Sequence, residues 1–226
     1  MATYFFASCQ AWYRPMFDEI IKTSRDNWSY IANTDELLLG LSNSSPRYIF
    51  FVHWNWVVQE SIWSTHECVC FHMTDVPYGR GGSPLQNLIM AGQTQTMLST
   101  LRMIKEMDAG PVYAKTPLNL EGSAQEIYLR AGRLSVEIIQ WMIEKNPQPE
   151  PQEGEVVFFK RRKPGQSGLP NSGSLQNAYD FIRMLDADGY PSAFIEHGEY
   201  LINFRKVRFE GDCLVAEAKI ILQNRN

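Results

Sequence analysis

Short apolar runs alternate with amphipathic segments along the first two thirds of the chain. The most apolar run, RYIFFVHW at 47–54, predicts a buried central strand of a parallel sheet. Shorter runs at 3–8 and 67–71 predict further strands, and apolar residues at helical spacing predict helices over 13–24 and 123–145. This alternation predicts an α/β fold with an open, mainly parallel sheet and helices on both faces.

The pattern changes after NPQPEPQEGE at 146–155, a segment rich in proline and acidic residues. Such a composition is typical of a boundary, so we predict a first domain over 1–150 and a second over 151–226. The second part contains a short strand, a helix near 175–185 and an antiparallel pair near 200–222. We expect a small C-terminal α+β appendage, which could close the domain or build a homodimer interface.

The composition is that of an ordinary globular protein, with 44% hydrophobic and 20% charged residues. The formal net charge of −4 disfavours a broad surface for binding nucleic acid. No apolar run approaches the length of a membrane span, so we expect no membrane partner. The 4 cysteines show neither a disulfide framework nor a paired zinc pattern, which indicates a reducing, cytoplasmic setting.

The segment FHMTDVPYGRGGSPLQNLI, residues 71–89, joins a predicted strand to a predicted helix. Its glycines allow a tight turn and a close approach to a ligand, and Arg80 could add positive charge there. Ser83 is predicted to cap the helix, with Gln86 completing a capping box. A plain strand-to-helix connection explains the glycines and the cap but not His72, so spacing alone leaves a functional loop and a plain connection both open.

Two further polar clusters follow predicted strands. They are HWNW at 53–56, after the central strand, and DAG at 108–110. In open α/β sheets ligands bind beyond the carboxyl ends of the strands, so the three clusters could converge on one cleft. Taken alone, Asp108 is typical of a turn residue.

Together these motifs resemble the formyltransferase family that uses N10-formyltetrahydrofolate. The family includes methionyl-tRNA, glycinamide ribonucleotide and sugar N-formyltransferases. The form of the 71–89 motif is most similar to the compact amino-sugar enzymes of the pseudaminic-acid type. The similarity is clear over 48–120 and weaker at 180–194. It implies a trimmed Rossmann-like sheet, because the chain before the central strand is shorter than in a full doubly wound half.

The resemblance implies transfer of a formyl group to an amine, with His72 as general acid and base and Asp108 orienting it. The family usually has an asparagine two residues before the histidine, where this chain has Cys70. A thiol cannot supply the strong hydrogen bond of a carboxamide. Asn55, at the end of the neighbouring strand, is the predicted substitute. The predicted catalytic residues are Asn55, His72 and Asp108.

The resemblance also implies a folate site and an acceptor site for a nucleotide-linked amino sugar. The predicted folate contacts are Trp54, Trp56, Ile104 and Lys105. The predicted substrate contacts are Tyr78 and Arg80. The spacing of the histidines predicts no metal site. Methionyl-tRNA or a carrier-bound amino acid remains open as the acceptor, and so does a non-catalytic module that binds folate or nucleotide sugars.

Overall fold

The structure is a computed structural model and describes residues 1–223. In this range the strands are β1 (Thr3–Ala7), β2 (Asn27–Ile31), β3 (Tyr48–Phe51), β4 (Cys68–His72), β5 (Arg80–Gly81), β6 (Gln95–Arg102), β7 (Val112–Asn119), β8 (Phe158–Phe159), β9 (Ala193–His197), β10 (Tyr200–Glu210) and β11 (Cys213–Leu222). The α-helices are α1 (Arg14–Thr23), α2 (Thr34–Asn43), α3 (Glu60–Trp63), α4 (Pro84–Met90), α5 (Ala124–Lys145) and α6 (Leu175–Arg183). None of the helices described is long and apolar enough to cross a membrane.

The central sheet has the strand order β2-β1-β3-β4-β6-β7. β1 pairs in parallel with β2 and with β3, and β3 pairs in parallel with β4. β6 runs antiparallel to β4 and places Ser99 opposite His72. The prediction of a mainly parallel sheet with a central strand over 47–54 is therefore confirmed, with β3 occupying the first part of that run. Because the strand order reverses beside β1, the carboxyl ends of β1 and β3 form a topological switch point, the place where ligands bind in open α/β sheets.

Helices cover both faces of this sheet, as predicted. Phe5 of β1 belongs to a buried cluster that includes Leu37 of α2 and Ile62 of α3. Phe6, the next residue, packs against Phe17 of α1, with ring centroids 5.9 Å apart. Successive side chains of a strand point to opposite faces, so α1 lies on one face and α2 and α3 on the other.

The chain divides into two compact units that interleave along the sequence. The first contains 1–81, 97–118 and 129–158, and the second contains 82–96, 119–128 and the described residues from Phe159 onward. The boundary at 150/151 stays a prediction. The units differ from it because two short segments of the first 150 residues cluster with the C-terminal part.

The C-terminal part has the predicted strand, helix and antiparallel pair. β10 and β11 pair from Tyr200 opposite Leu222 to Glu210 opposite Cys213. A third strand, β9, pairs with the other edge of β10 and lies in a segment where the sequence pattern predicts no strand.

The start of α4 differs from the predicted capping box. Ser83 has a left-handed backbone conformation, with φ of 52°, and its side chain makes no capping hydrogen bond. Its hydroxyl instead accepts a hydrogen bond from the amide of Arg162 at 3.0 Å. Gln86 is buried and donates to the hydroxyl of Tyr128 and to the carbonyl of Met184. The capping-box prediction was wrong because both side chains bind partners that are distant in sequence.

Candidate functional site

The loop after β4 is held by hydrogen bonds that converge on one carbonyl group. His72, the last residue of β4, is buried, and its Nε2 lies 2.8 Å from the carbonyl oxygen of Gly79. The hydroxyl of Thr74 donates to the same oxygen at 3.3 Å. Ser99 of β6 in turn donates to the carbonyl of Thr74 at 2.6 Å. Because a carbonyl oxygen only accepts, Nε2 of His72 carries the hydrogen of this bond.

The other ring nitrogen of His72 faces Asp108. Nδ1 of His72 is 3.7 Å from Oδ1 of Asp108, and both side chains are largely shielded from solvent. The second carboxylate oxygen, Oδ2, accepts the backbone amide of Gly81 at 2.9 Å. The structure thus brings together two residues that lie 36 positions apart in sequence (108 minus 72). An imidazole beside a carboxylate can accept a proton and be stabilised in its charged form.

Asp108 lies in a strained and tightly supported turn. Its φ is 54°, in the left-handed region that only glycine, asparagine and aspartate adopt readily. Nε2 of Gln152 donates to the carbonyl oxygens of Asp108 and Gly110, at 2.9 and 2.8 Å. The sequence analysis missed Gln152 because it lies in the proline-rich segment that reads as a linker, and no local signal marks it.

Cys70 and Asn55 occupy different surroundings. Cys70 is partly buried; burial raises the pKa of its thiol well above the ordinary range, and the nearby charge of Asp108 adds to the effect. Asn55 is exposed, and its backbone amide binds the thiol of Cys9. In the described part of the chain, no hydrogen bond or ion pair joins the Asn55 side chain to His72 or Asp108. The structure therefore places Cys70 beside Asp108, and Asn55 makes no direct hydrogen bond to either member of the described pair.

His53, in the cluster after β3, has partners in the segment that follows β1. Its φ is 60°, and its Nδ1 lies 3.4 Å from the hydroxyl of Tyr13. The thiol of Cys9 donates to the carbonyl of His53 at 3.1 Å. Burial lowers the pKa of His53 to about 4, so its ring is neutral at pH 7.

The predicted folate contacts lie in two loops. Trp54 packs on the core cluster, and its ring meets that of Trp56 edge to face, with centroids 4.9 Å apart. Trp56 is 46% exposed and presents a flat apolar surface. Ile104 is half-buried and Lys105 is exposed, both in the loop that leads to Asp108.

Of the two predicted substrate contacts, one has an exposed ring and the other is hydrogen-bonded within the protein. Tyr78 is 38% exposed, at the tip of the loop after β4. The guanidinium of Arg80 donates from Nε and Nη2 to Oε1 of Gln152, at 3.1 and 2.7 Å. Arg80 is thus engaged with a side chain from the proline-rich segment. No group of three or more His, Cys, Asp or Glu side chains within residues 1–223 could hold a metal ion.

Comparisons with known proteins identify the family of the chain. The solved structure of a methionyl-tRNA formyltransferase from Clostridium thermocellum is 38% identical, matches 98% of this chain and 100% of that one, and superposes with a TM-score of 0.94. The chain belongs to the formyltransferase family. A sequence profile described as the C-terminal domain of methionyl-tRNA formyltransferase also matches residues 164–221 of this family member.

Other relatives are more distant or longer. A methionyl-tRNA formyltransferase from Thermus thermophilus is 32% identical over 149 residues, which is 64% of this chain and 48% of that protein. The family member described here thus spans about half the length of that relative. A 4-N formyltransferase from Francisella tularensis is 13% identical, covers 99% of this chain and 98% of its own, and shares the fold with a TM-score of 0.69.

Proposed function

We propose that the protein transfers a formyl group from N10-formyltetrahydrofolate to an amine, without a covalent enzyme intermediate. The observation that carries the proposal is the pairing of His72 Nδ1 with Asp108 Oδ1 at 3.7 Å, inside the two motifs that resemble the family. Bound formyl-folate supplies the electrophilic formyl carbon and a leaving nitrogen. The chain's own residues must then move protons and stabilise the charge that develops on the formyl oxygen.

His72 acts as the proton shuttle in this proposal. It accepts a proton as the acceptor amine forms its bond to the formyl carbon, and it returns a proton to the folate nitrogen as that bond breaks. Asp108 keeps the ring oriented and stabilises its charged form through Nδ1. The amide of Gly81 holds the carboxylate in place from the other side. For Nε2 to accept that proton, the ring gives up its bond to the Gly79 carbonyl and carries its hydrogen on Nδ1, which faces Asp108, so that Nε2 offers a lone pair to the amine.

The proposed folate site is supported by the chemistry of the residues in the two predicted folate loops. A pterin ring is flat, apolar on its faces and polar along its edge. The exposed face of Trp56 suits such a face. Within residues 1–223 the backbone amides of Ile104 and Lys105 make no hydrogen bond to other parts of the protein, so they can serve a ligand edge. Trp54 would hold Trp56 in position.

For the acceptor, a nucleotide-linked amino sugar is our first candidate and methionyl-tRNA our second. The form of the 71–89 motif and the net charge of −4 favour the small-molecule acceptor, because a tRNA-binding surface is usually strongly basic. The 38% identity to a protein named as a methionyl-tRNA formyltransferase favours the second. Tyr78 would stack on the nucleotide base, and Arg80 would bind a phosphate through Nη1 while its Nε and Nη2 stay on Gln152.

The activity is tested by incubating the purified protein with N10-formyltetrahydrofolate and a panel of acceptors, and by following tetrahydrofolate release by absorbance. The panel contains nucleotide-linked amino sugars, methionyl-tRNA and a carrier-bound amino acid. Release with one class identifies the acceptor. If no acceptor gives release while folate still binds, the protein is a non-catalytic binding module and the proposed transfer is wrong.

His72→Ala and Asp108→Ala are expected to lower turnover by about 100- to 10,000-fold, because proton transfer fails while the folate contacts remain. Folate affinity, measured by calorimetry, should change little. The matched control is His197→Ala, which removes an exposed histidine from β9. Near-native turnover of His72→Ala would rule out the shuttle.

Comparing the turnover of Asn55→Ala with that of Cys70→Ser tests which residue donates a hydrogen bond to the formyl oxygen. We expect Asn55→Ala to lower turnover about 100- to 1,000-fold, as the loss of one such donor usually does. A harmless Asn55→Ala together with an inactive Cys70→Ser would assign the role to position 70 instead. Cys70→Asn, which restores the residue usual in the family, is the third variant of this set.

A further inference from the structure

Gln152 is fixed in space although its segment reads as a linker. Two residues before it, Glu150 forms a pair of backbone hydrogen bonds with Val112 of β7, at 2.7 and 2.9 Å. Five residues after it, the amide of Val157 donates to the carbonyl of Pro77, and the carbonyl of Val157 accepts from the amide of Arg80. The segment that carries Gln152 therefore runs along the loop that follows His72.

The carboxamide of Gln152 uses its full hydrogen-bonding capacity. An amide group offers two donor hydrogens and two acceptor lone pairs. Nε2 donates to the carbonyl oxygens of Asp108 and Gly110, at 2.9 and 2.8 Å. Oε1 accepts from Nε and Nη2 of Arg80, at 3.1 and 2.7 Å. One end of the side chain thus holds the Asp108 turn, and the other holds the 79–81 loop.

These bonds form a continuous hydrogen-bond network around the His72–Asp108 pair. Within the 79–81 loop, the carbonyl of Gly79 accepts from Nε2 of His72 and the amide of Gly81 donates to Oδ2 of Asp108. The side chain of Arg80, between them, binds Gln152. Both partners of the pair are therefore held by one loop, and Gln152 fixes the Asp108 turn to that loop.

We propose that Gln152 is a positioning residue for formyl transfer: it holds the left-handed Asp108 turn against the 79–81 loop, so that the Asp108 carboxylate faces His72. The inference rests on the proposed function. Gln152 acts through backbone carbonyls and Arg80 and does not itself contact the reacting atoms. A left-handed backbone conformation at a residue other than glycine persists where neighbouring groups hold it, and Gln152 supplies two of the bonds that do so.

Substitutions at Gln152 can distinguish the role of its donor end from that of its acceptor end. Gln152→Met keeps a similar length and removes every hydrogen bond. Gln152→Glu keeps an acceptor for Arg80 but places a carboxylate against the carbonyls of Asp108 and Gly110, where a donor is required. If the donor end positions Asp108, Gln152→Glu is no better than Gln152→Met. If Gln152 only anchors Arg80, Gln152→Glu behaves like the wild type.

The test measures turnover, the KM for formyl-folate and the pH–rate profile of Gln152→Met and Gln152→Glu. The controls are the same substitutions at Gln148, an exposed residue of the same segment. We expect both Gln152 variants to lose about 10- to 100-fold in kcat with KM changed less than about threefold, and to show a displaced pH–rate profile, because displacements of about 1 Å have such effects. Wild-type kcat and profile in Gln152→Glu, or equal losses in the Gln148 variants, would overturn the proposal.

A measurement without substrate separates this inference from the proposed function. The ring-nitrogen NMR signals of His72, identified by their loss in His72→Ala, should move in both Gln152 variants and stay in place in the Gln148 variants. If the wild type transfers no formyl group but these signals move as expected, the proposed function fails and the positioning stands. If the wild type is active and the signals do not move, the positioning fails and the proposed function stands.

Discussion

At the scale of single residues, the site depends on close backbone approaches. Asp108 adopts a φ of 54°, and two residues later Gly110 passes directly over the carbonyl group of Arg102. A Cβ atom at position 110 would fall on that carbonyl oxygen. The glycine of the Asp-Ala-Gly motif is thus required by packing of backbone against backbone, which neither partner can relieve by changing a rotamer.

Gly110→Ala is therefore expected to lower the free energy of unfolding by about 1–3 kcal/mol, in the range of overpacked sites, and to lower turnover because Asp108 is displaced. Chemical denaturation measures the first effect and the tetrahydrofolate assay the second. Gly165→Ala is the matched control, since a Cβ at that position meets open space. Equal stability of the two variants would contradict the close approach seen at Gly110.

At the scale of elements, α5 packs closely on the start of the chain. Gly132 of α5 faces Tyr13 and Met16, and a Cβ at position 132 would collide with the Tyr13 ring and lie 2.7 Å from Sδ of Met16. Tyr13 also reaches His53 through its hydroxyl. α5 thus packs against the ring of Tyr13, the residue whose hydroxyl contacts His53.

Gly132→Ala is expected to destabilise the protein by about 1–3 kcal/mol, although alanine is the better helix former. The control is the pair Gln140→Gly and Gln140→Ala at an exposed position of α5. There alanine should be more stable than glycine by about 1 kcal/mol. The two positions should therefore show opposite signs in denaturant titrations, and the same sign at both would refute the close contact.

At the scale of the whole molecule, acid stability reports on the burial of His53. Burial lowers the pKa of this histidine to about 4, from an ordinary value of 6.5. Between pH 6.5 and about 4, His53 binds a proton in the unfolded chain but not in the folded protein. Stability is therefore complete above pH 6.5 and falls as the pH drops toward 4.

His53→Asn should reduce the loss of unfolding free energy between pH 7 and about 4.5 by roughly 2–3 kcal/mol. Asparagine suits the left-handed φ of 60° at this position and does not titrate. His197→Asn, at an exposed position of β9, should leave the pH dependence unchanged. Thermal unfolding across this pH range is the measurement. If the stability of His53→Asn depends on pH as that of the wild type does, the folded protein protonates this ring as readily as the unfolded chain does.

The sequence by itself determined the mainly parallel sheet, the central strand and the motifs around His72 and Asp108, because apolar periodicity and turn residues act within a few positions along the chain. Only the tertiary structure decided the partners of Ser83 and Gln86 and the support that Gln152 gives to Asp108. Those bonds join residues separated by tens of positions, and a polar side chain carries no local sign of which distant carbonyl or guanidinium it will meet. Asn55 and Cys70 show the same limit, since spacing places both near strand ends but only the packing of β4 brings Cys70 beside Asp108.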